Sequence, residues 1–192
     1  MTPQTFDLWA RILRETAHGV LWLYADNETA AANLKQEAVQ RRVAGQLVVL
    51  HEMAQQPEYL ARYRLADLFL DSFPYNAGAT ASDALWAGLP VLTCLGESFA
   101  SRMAASLLTS VGLGELIAAK PDDYAALAVA LATSPQRLTR LKETLARQRD
   151  TAALFDIERF TRTLETGYAA MHERQLSGLA PDHIFVSPAL GA

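Results

Sequence analysis

Apolar positions along the chain switch repeatedly between helical and strand spacing. Phe6, Trp9, Ala10 and Leu13 mark one helix face and predict a helix over 6–15, with Pro3 suited to its first turn. Gly19 breaks that pattern, and Val20-Leu21-Trp22-Leu23-Tyr24 is an unbroken apolar run of strand length. An Ala-rich segment over 27–42 predicts a second helix, capped by Asn27 or Thr29 and ended by Gly45. Residues 47–50 predict a second strand, 57–63 a short helix, and 68–70 a third strand ending at Asp71. A loop of Pro, Asn, Gly and Ala leads into a helix over 80–87 closed by Gly88, then a strand over 91–93. A helix over 99–109 follows, then Gly112, Gly114 and a short segment ending near Ile117. Helical spacing returns over 123–133, 135–149 and 157–176, and residues 181–192 are expected to form a tail.

Continuous apolar strands separated by helices imply a parallel sheet covered on both faces. The expected fold class is therefore α/β, a doubly wound, Rossmann-like parallel sheet with right-handed connections. No internal repeat interrupts it, and 192 residues suffice for one lobe over 1–180 with a single core. No apolar run approaches the ~20 residues needed to cross a bilayer. The first residues lack the basic and apolar regions of a signal peptide. With Cys94 as the lone cysteine, a cytoplasmic, membrane-free protein is the default expectation. A formal net charge of −4 argues against a nucleic-acid-binding face, but not against one bound diphosphate, which backbone N–H groups can hold.

Ligands in such folds sit beyond the carboxyl ends of the strands. Two loops there have unusual composition. In Asn76-Ala77-Gly78-Ala79-Thr80-Ala81-Ser82-Asp83, every side chain before Asp83 is small, which allows close approach to the main chain, and Gly78 is free to adopt positive φ. The segment opens a helix, whose first N–H groups are unpaired and favour anions. Asp83, one turn in, is placed to accept hydrogen bonds from ribose hydroxyls. Thr80-x-x-Asp83 also fits a capping box, in which both residues merely finish the helix. The second loop, Gly96-Glu97-Ser98-Phe99-Ala100-Ser101-Arg102, should lie beside the first. Ser98 reads as an N-cap. Arg102 reads equally as a solvated surface residue or as a cation supporting the neighbouring loop. His18, His51, His172 and His183 lack metal-ligand spacing, although His51 ends a strand on the ligand side. Cys94 reads as a small buried filler, and Trp9, Trp22 and Trp86 as packing.

Asp83-Ala-Leu-Trp-Ala-Gly-Leu-Pro-Val91 resembles the acidic-residue, helix, Gly-x-Pro-Val element in the C-terminal half of GT-B glycosyltransferases. A longer pattern resembles the protein O-linked N-acetylglucosamine transferases and their bacterial relatives. It runs from Leu65-Ala-Asp-Leu-Phe-Leu-Asp71 through Asn76 and the Asp83 element to Gly96-Glu-x-x-Ala-Ser-Arg102-x-Ala-Ala-Ser106. Glu115-Leu-Ile-Ala, Leu154-Phe155 and Pro181-Asp-His183 continue it, so it covers nearly the whole chain. The resemblance implies a UDP-N-acetylglucosamine donor and metal-independent, inverting transfer to Ser or Thr hydroxyls of proteins, with no cofactor. It assigns the ribose to Asp83 and the diphosphate to Thr80. Gly78 and Ala79 stand where animal enzymes have a histidine and a threonine, so their contact would come through the backbone. The main chain at Ala54 would meet the uracil. Tyr59 would stack on the base in place of a histidine, and Arg62 would lie near it.

The resemblance also implies a lysine just upstream of the first helix, an N-terminal lobe, an acceptor site and tetratricopeptide repeats, none of which this sequence contains. On that basis the chain alone is expected to bind the donor and to catalyse poorly. In GT-B enzymes the last helix crosses to the other lobe, so the stripe Phe160, Leu164, Tyr168 and Met171 should be exposed here. It would meet that lobe or a second copy of the chain. The competing readings are a lobe for another nucleotide sugar, such as GDP-fucose in SPINDLY-type proteins, and a non-catalytic nucleotide-binding module.

Overall fold

The computed structural model describes residues 1–50 and 56–186. Helix α1 (Pro3–Glu15) starts with proline in its first turn and with the Thr2 side chain accepting from the Thr5 N–H. Its apolar face, Phe6, Trp9, Ala10, Ile12 and Leu13, is buried. Strand β1 (Leu21–Tyr24) leads to α2 (Glu28–Gln40), capped by Asn27 rather than Thr29, since the Asn27 side chain accepts from the Ala30 N–H at 2.7 Å. Helix α2 stops before Gly45. Arg42 takes the left-handed conformation that ends it (φ 59°), while the N–H of Val43 reaches back to the carbonyl of Ala38. Next come β2 (Leu47–Leu50), α3 (Gln56–Arg62), β3 (Phe69–Leu70), α4 (Ala79–Trp86) and β4 (Val91–Cys94). Gly88 closes α4 at φ 88°, a conformation that L side chains rarely adopt. After α5 (Met103–Ser110), a two-residue strand β5 (Ile117–Ala118) appears where the apolar pattern predicted only the end of a segment. Helices α6 (Pro121–Ala132), α7 (Pro135–Gln148) and α8 (Ile157–Leu176) complete the fold.

Every strand pairing is parallel, as the α/β reading requires. The strands do not form one hydrogen-bonded sheet, however. β1 pairs with β2, and β4 lies between β3 and β5. β3 is only two residues long, and the amides of Phe69 and Asp71 beside Leu70 both donate to β4, at Pro90 and Leu92. On β4, Leu92 and Cys94 join the apolar cluster of α1 and α6, while Val91 joins the cluster of α4, α5 and α7. Alternation along one strand thus gives each face its own helical layer. β1 is different: Leu21 is buried, but Trp22 and Tyr24 are 38% and 51% exposed. Trp22 is therefore not a core residue, and neither is Trp86, at 39% exposure. Trp86 packs edge-on against Phe155, with the Arg149 guanidinium 4.3 Å from its ring centre. Trp9 alone of the three tryptophans is buried.

Among the described residues, α8 buries only Gly167. The chain after α8 folds back along it, held where Arg174 donates to the carbonyl of Ala180 at 2.6 Å and pairs with Asp182. No helix of the described residues is long and apolar enough to cross a membrane.

Candidate functional site

The carboxyl ends of β3 and β4 bring the two small-residue loops together, as expected. The N–H of Asn76 donates to the carbonyl of Ala100 at 3.0 Å. A Cβ on Gly78 would meet the side chain of Met103 at 3.5 Å, which is ordinary contact. Gly78 takes φ −103°, so the positive φ open to it is not used, and its value here lies in keeping the helix start bare.

The structure removes the capping-box reading of Thr80 and Asp83. Gly78 is the N-cap residue, and no side chain caps the helix. Ala79 and Thr80 are therefore its first two residues and both are exposed, while Asp83 is the fifth, beyond reach of the cap position, and half-buried. The first backbone bond of the helix runs from the Ser82 N–H to the Gly78 carbonyl. An accessible helix start with its leading N–H groups free of side-chain acceptors carries a partial positive charge and offers hydrogen bonds to an anion.

Helix α3 forms the adjacent wall. Tyr59 and Tyr63 meet edge-on with centroids 5.2 Å apart and hydroxyls 2.5 Å apart. The Tyr63 hydroxyl also reaches the Thr80 carbonyl at 3.4 Å. Burial pushes the Tyr63 phenol well above its ordinary range, aided by the Tyr59 hydrogen bond and then by the nearby charge of Asp83. Tyr63 thus links the residue proposed for the base to the helix proposed for the phosphates. The sequence reading missed it, although Tyr59-x-x-x-Tyr63 is the i, i+4 spacing that stacks two side chains on one helix face. Arg62, half-buried, is the last residue of α3. Ala54 and His51 lie outside the described residues.

On the other side, Ser98 is not the N-cap that was expected: Phe99 holds that position for a 3-10 turn over Ala100–Arg102, and Arg102 holds it for α5. The N–H of Ser101 donates to the Ser98 side chain at 3.2 Å. Arg102 is exposed, its side chain makes no hydrogen bond or ion pair among the described residues, and it lines an open groove of about 590 Å³ with Leu95, Phe99, Met103 and Ser106. Beneath the loops, the buried Asp71 carboxylate accepts from the Thr93 hydroxyl at 2.6 Å and from the Ala77 N–H at 2.8 Å. Cys94 is buried, and burial raises its thiol, which fits a filler and not a nucleophile. No group of three or more His, Cys, Asp or Glu among the described residues is arranged to hold a metal ion.

Residues 1–164 match the family model described as Glycosyl transferase family 41. The chain is 32% identical over 182 residues to a UDP-N-acetylglucosamine--peptide N-acetylglucosaminyltransferase of Caenorhabditis elegans, covering 95% of this chain and 16% of that protein. It is 32% identical to the probable enzyme of the same description, SEC, of Arabidopsis thaliana, covering 97% of this chain and 19% of the relative. The chain thus spans less than a fifth of the length of either. Among solved structures, a mutant O-GlcNAc transferase of Thermobaculum terrenum superposes with a TM-score of 0.83 at 34% identity, covering 89% of this chain and 34% of the other. WaaG, a glycosyltransferase of lipopolysaccharide biosynthesis, superposes at a TM-score of 0.62 with 17% identity over 79% of this chain and 40% of the other, a likeness of fold alone.

Proposed function

The chain belongs to glycosyl transferase family 41, and from that premise we propose that it forms the donor-binding lobe of a transferase that moves N-acetylglucosamine from UDP-N-acetylglucosamine to Ser or Thr hydroxyls of proteins. The observation that carries this reading is the bare, exposed start of α4, with Asp83 one turn in and the Tyr59–Tyr63 pair against Thr80. In this reading the N–H groups of Ala79 and Thr80 hold the diphosphate. Asp83 accepts from the ribose, while Tyr59 and Arg62 flank the base, with Ala54 nearby. Backbone donors aimed at the phosphates would also stabilise the charge that grows on UDP as the sugar C1–O bond breaks and the acceptor oxygen bonds to C1. The acceptor hydroxyl gives up its proton to solvent in the same step, and UDP carries away the electron pair of the broken C1–O bond.

The relatives' names support the donor and acceptor classes, since both describe peptide N-acetylglucosaminyltransferases. Calorimetric titration with UDP, UDP-N-acetylglucosamine and GDP is the direct test. Saturable binding of the two uridine compounds, with GDP about tenfold weaker or worse, is the expected result. Preference for GDP would reject the donor assignment, and no binding of any nucleotide would reject the site.

A further inference from the structure

We propose that Asp71 is the positioning residue of the nucleotide loop, its carboxylate tying the segment before α4 to the centre of the parallel strands. The inference rests on the reading that the α4 start receives the diphosphate. Asp71 is fully buried at the end of an apolar strand, and among the described residues no cation forms an ion pair with it. A carboxylate in such a place is costly unless hydrogen bonds replace its water. Two donors do so: the Thr93 hydroxyl on β4 and the Ala77 N–H in the loop. Burial nonetheless wins, and pushes the carboxyl up to about 6. A leucine would suit the strand better, so the acidic side chain is explained by what it holds.

What it holds is the N–H of Ala77, two residues before the first residue of α4. Only a few other bonds fix this loop. The N–H of Asn76 donates to Ala100, and its side-chain amide donates to the Ser72 carbonyl at 3.0 Å. The Asn76 Oδ1 is buried with no hydrogen-bond partner among the described residues, so that side chain ties the loop down only through its amide N–H. Asp71 is itself fixed by its backbone. Its N–H donates to Leu92, and its carbonyl accepts from the Tyr124 hydroxyl at 3.0 Å, which in turn accepts from the Trp9 indole N–H at 3.1 Å. Helices α1 and α6 and strand β4 therefore converge on one residue, and its side chain carries their frame to the helix start. Without it, the loop that leads into α4 loses its tie to the strands, and the helix start, with Asp83 on it, is no longer held in place against Tyr63 and the Ala100 loop.

Two measurements on the purified chain test this: hydrogen exchange of the amides over 76–82, which needs no ligand, and UDP affinity by calorimetry. Asp71→Ala should speed exchange over 76–82 about tenfold, leave Val91–Cys94 unchanged, and weaken UDP binding about tenfold or more, the worth of one charge-assisted hydrogen bond. Asp71→Asn keeps an acceptor for Ala77 and a donor for the Thr93 oxygen, so it should stay near wild type in both. If Asp71→Ala does not fold, Thr93→Val removes one anchor while preserving strand shape, and should show a smaller shift over the same residues. Unchanged exchange over 76–82 in the first folded variant of this pair overturns the proposal, as does an Asn variant as damaged as the Ala variant. Faster exchange with unaltered UDP affinity reduces Asp71 to a structural residue. Wild-type protein that binds no UDP refutes the nucleotide reading instead, and the exchange result then decides the anchor alone.

Discussion

At Asp83 two explanations of one residue make opposite predictions. The helix start lies too far back for Asp83 to act as a cap. Asp83→Asn should therefore leave the melting temperature nearly unchanged while weakening UDP binding roughly tenfold to hundredfold, the loss of about 1.5–3 kcal/mol for a charge-assisted bond. Calorimetry and thermal melting on the same two proteins check both halves. Asp71 gives a second residue-scale expectation. Its folded carboxyl is raised to about 6 from 3.8, and no charged neighbour contributes to the shift. The protonated form is thus favoured in the folded chain. The associated stability is complete below about pH 4 and is lost as pH rises through about 6, by at most about 3 kcal/mol. Urea unfolding from pH 4 to 7.5 should show wild type losing stability relative to Asp71→Asn over that window. A constant difference between the two would refute it. The ribose role of Asp83 is readable in the sequence beside its capping-box alternative, whereas the buried carboxyl of Asp71 is not, since it reads there only as the end of a strand.

Among the elements, α8 stands apart. Ile157, Phe160, Leu164, Tyr168 and Met171 recur on one face and are 41–70% exposed, a continuous apolar stripe beside the returning tail. A stripe of that kind favours burial against another surface. The isolated chain is expected to self-associate with rising concentration in sedimentation velocity, and Phe160→Glu with Leu164→Glu should restore the monomer. A clean monomer for the unmodified chain at high concentration counts against this. Most helix ends were readable within one or two residues because each amphipathic face repeats several times, but α5 starts at Met103 rather than at 99, behind a 3-10 turn. The strand β5 was not readable, because two residues carry no period.

For the whole molecule, ligand binding to the folded state alone must raise its stability. UDP at about a hundred times its dissociation constant adds about 2.7 kcal/mol. For a chain of this size that corresponds to a rise of roughly 5–10 °C in melting temperature. At the same UDP concentration the rise should shrink in Asp83→Asn to between about half and a sixth, since tenfold to hundredfold weaker binding leaves about 1.4 to 0.4 kcal/mol. An equal shift in both proteins would place the nucleotide elsewhere on the surface.

The alternation of helices and strands, the parallel pairing and the small-residue loop after the third strand were all readable from the chain. Those features follow from local periodicity and residue size, which a linear chain displays openly. It also carried the family pattern, through short motifs such as Asp83-x-Leu-Trp-Ala-Gly-x-Pro. Packing in three dimensions was needed to show that the strands fall into two sheets, that Trp22 and Trp86 sit at the surface, and that Gly78 leaves α4 uncapped. It alone joined Trp9, Tyr124 and Asp71, residues 115 and 53 positions apart, into one hydrogen-bonded line beneath the loop. Burial and hydrogen-bond partners are set by elements distant in the chain, so no local pattern records them.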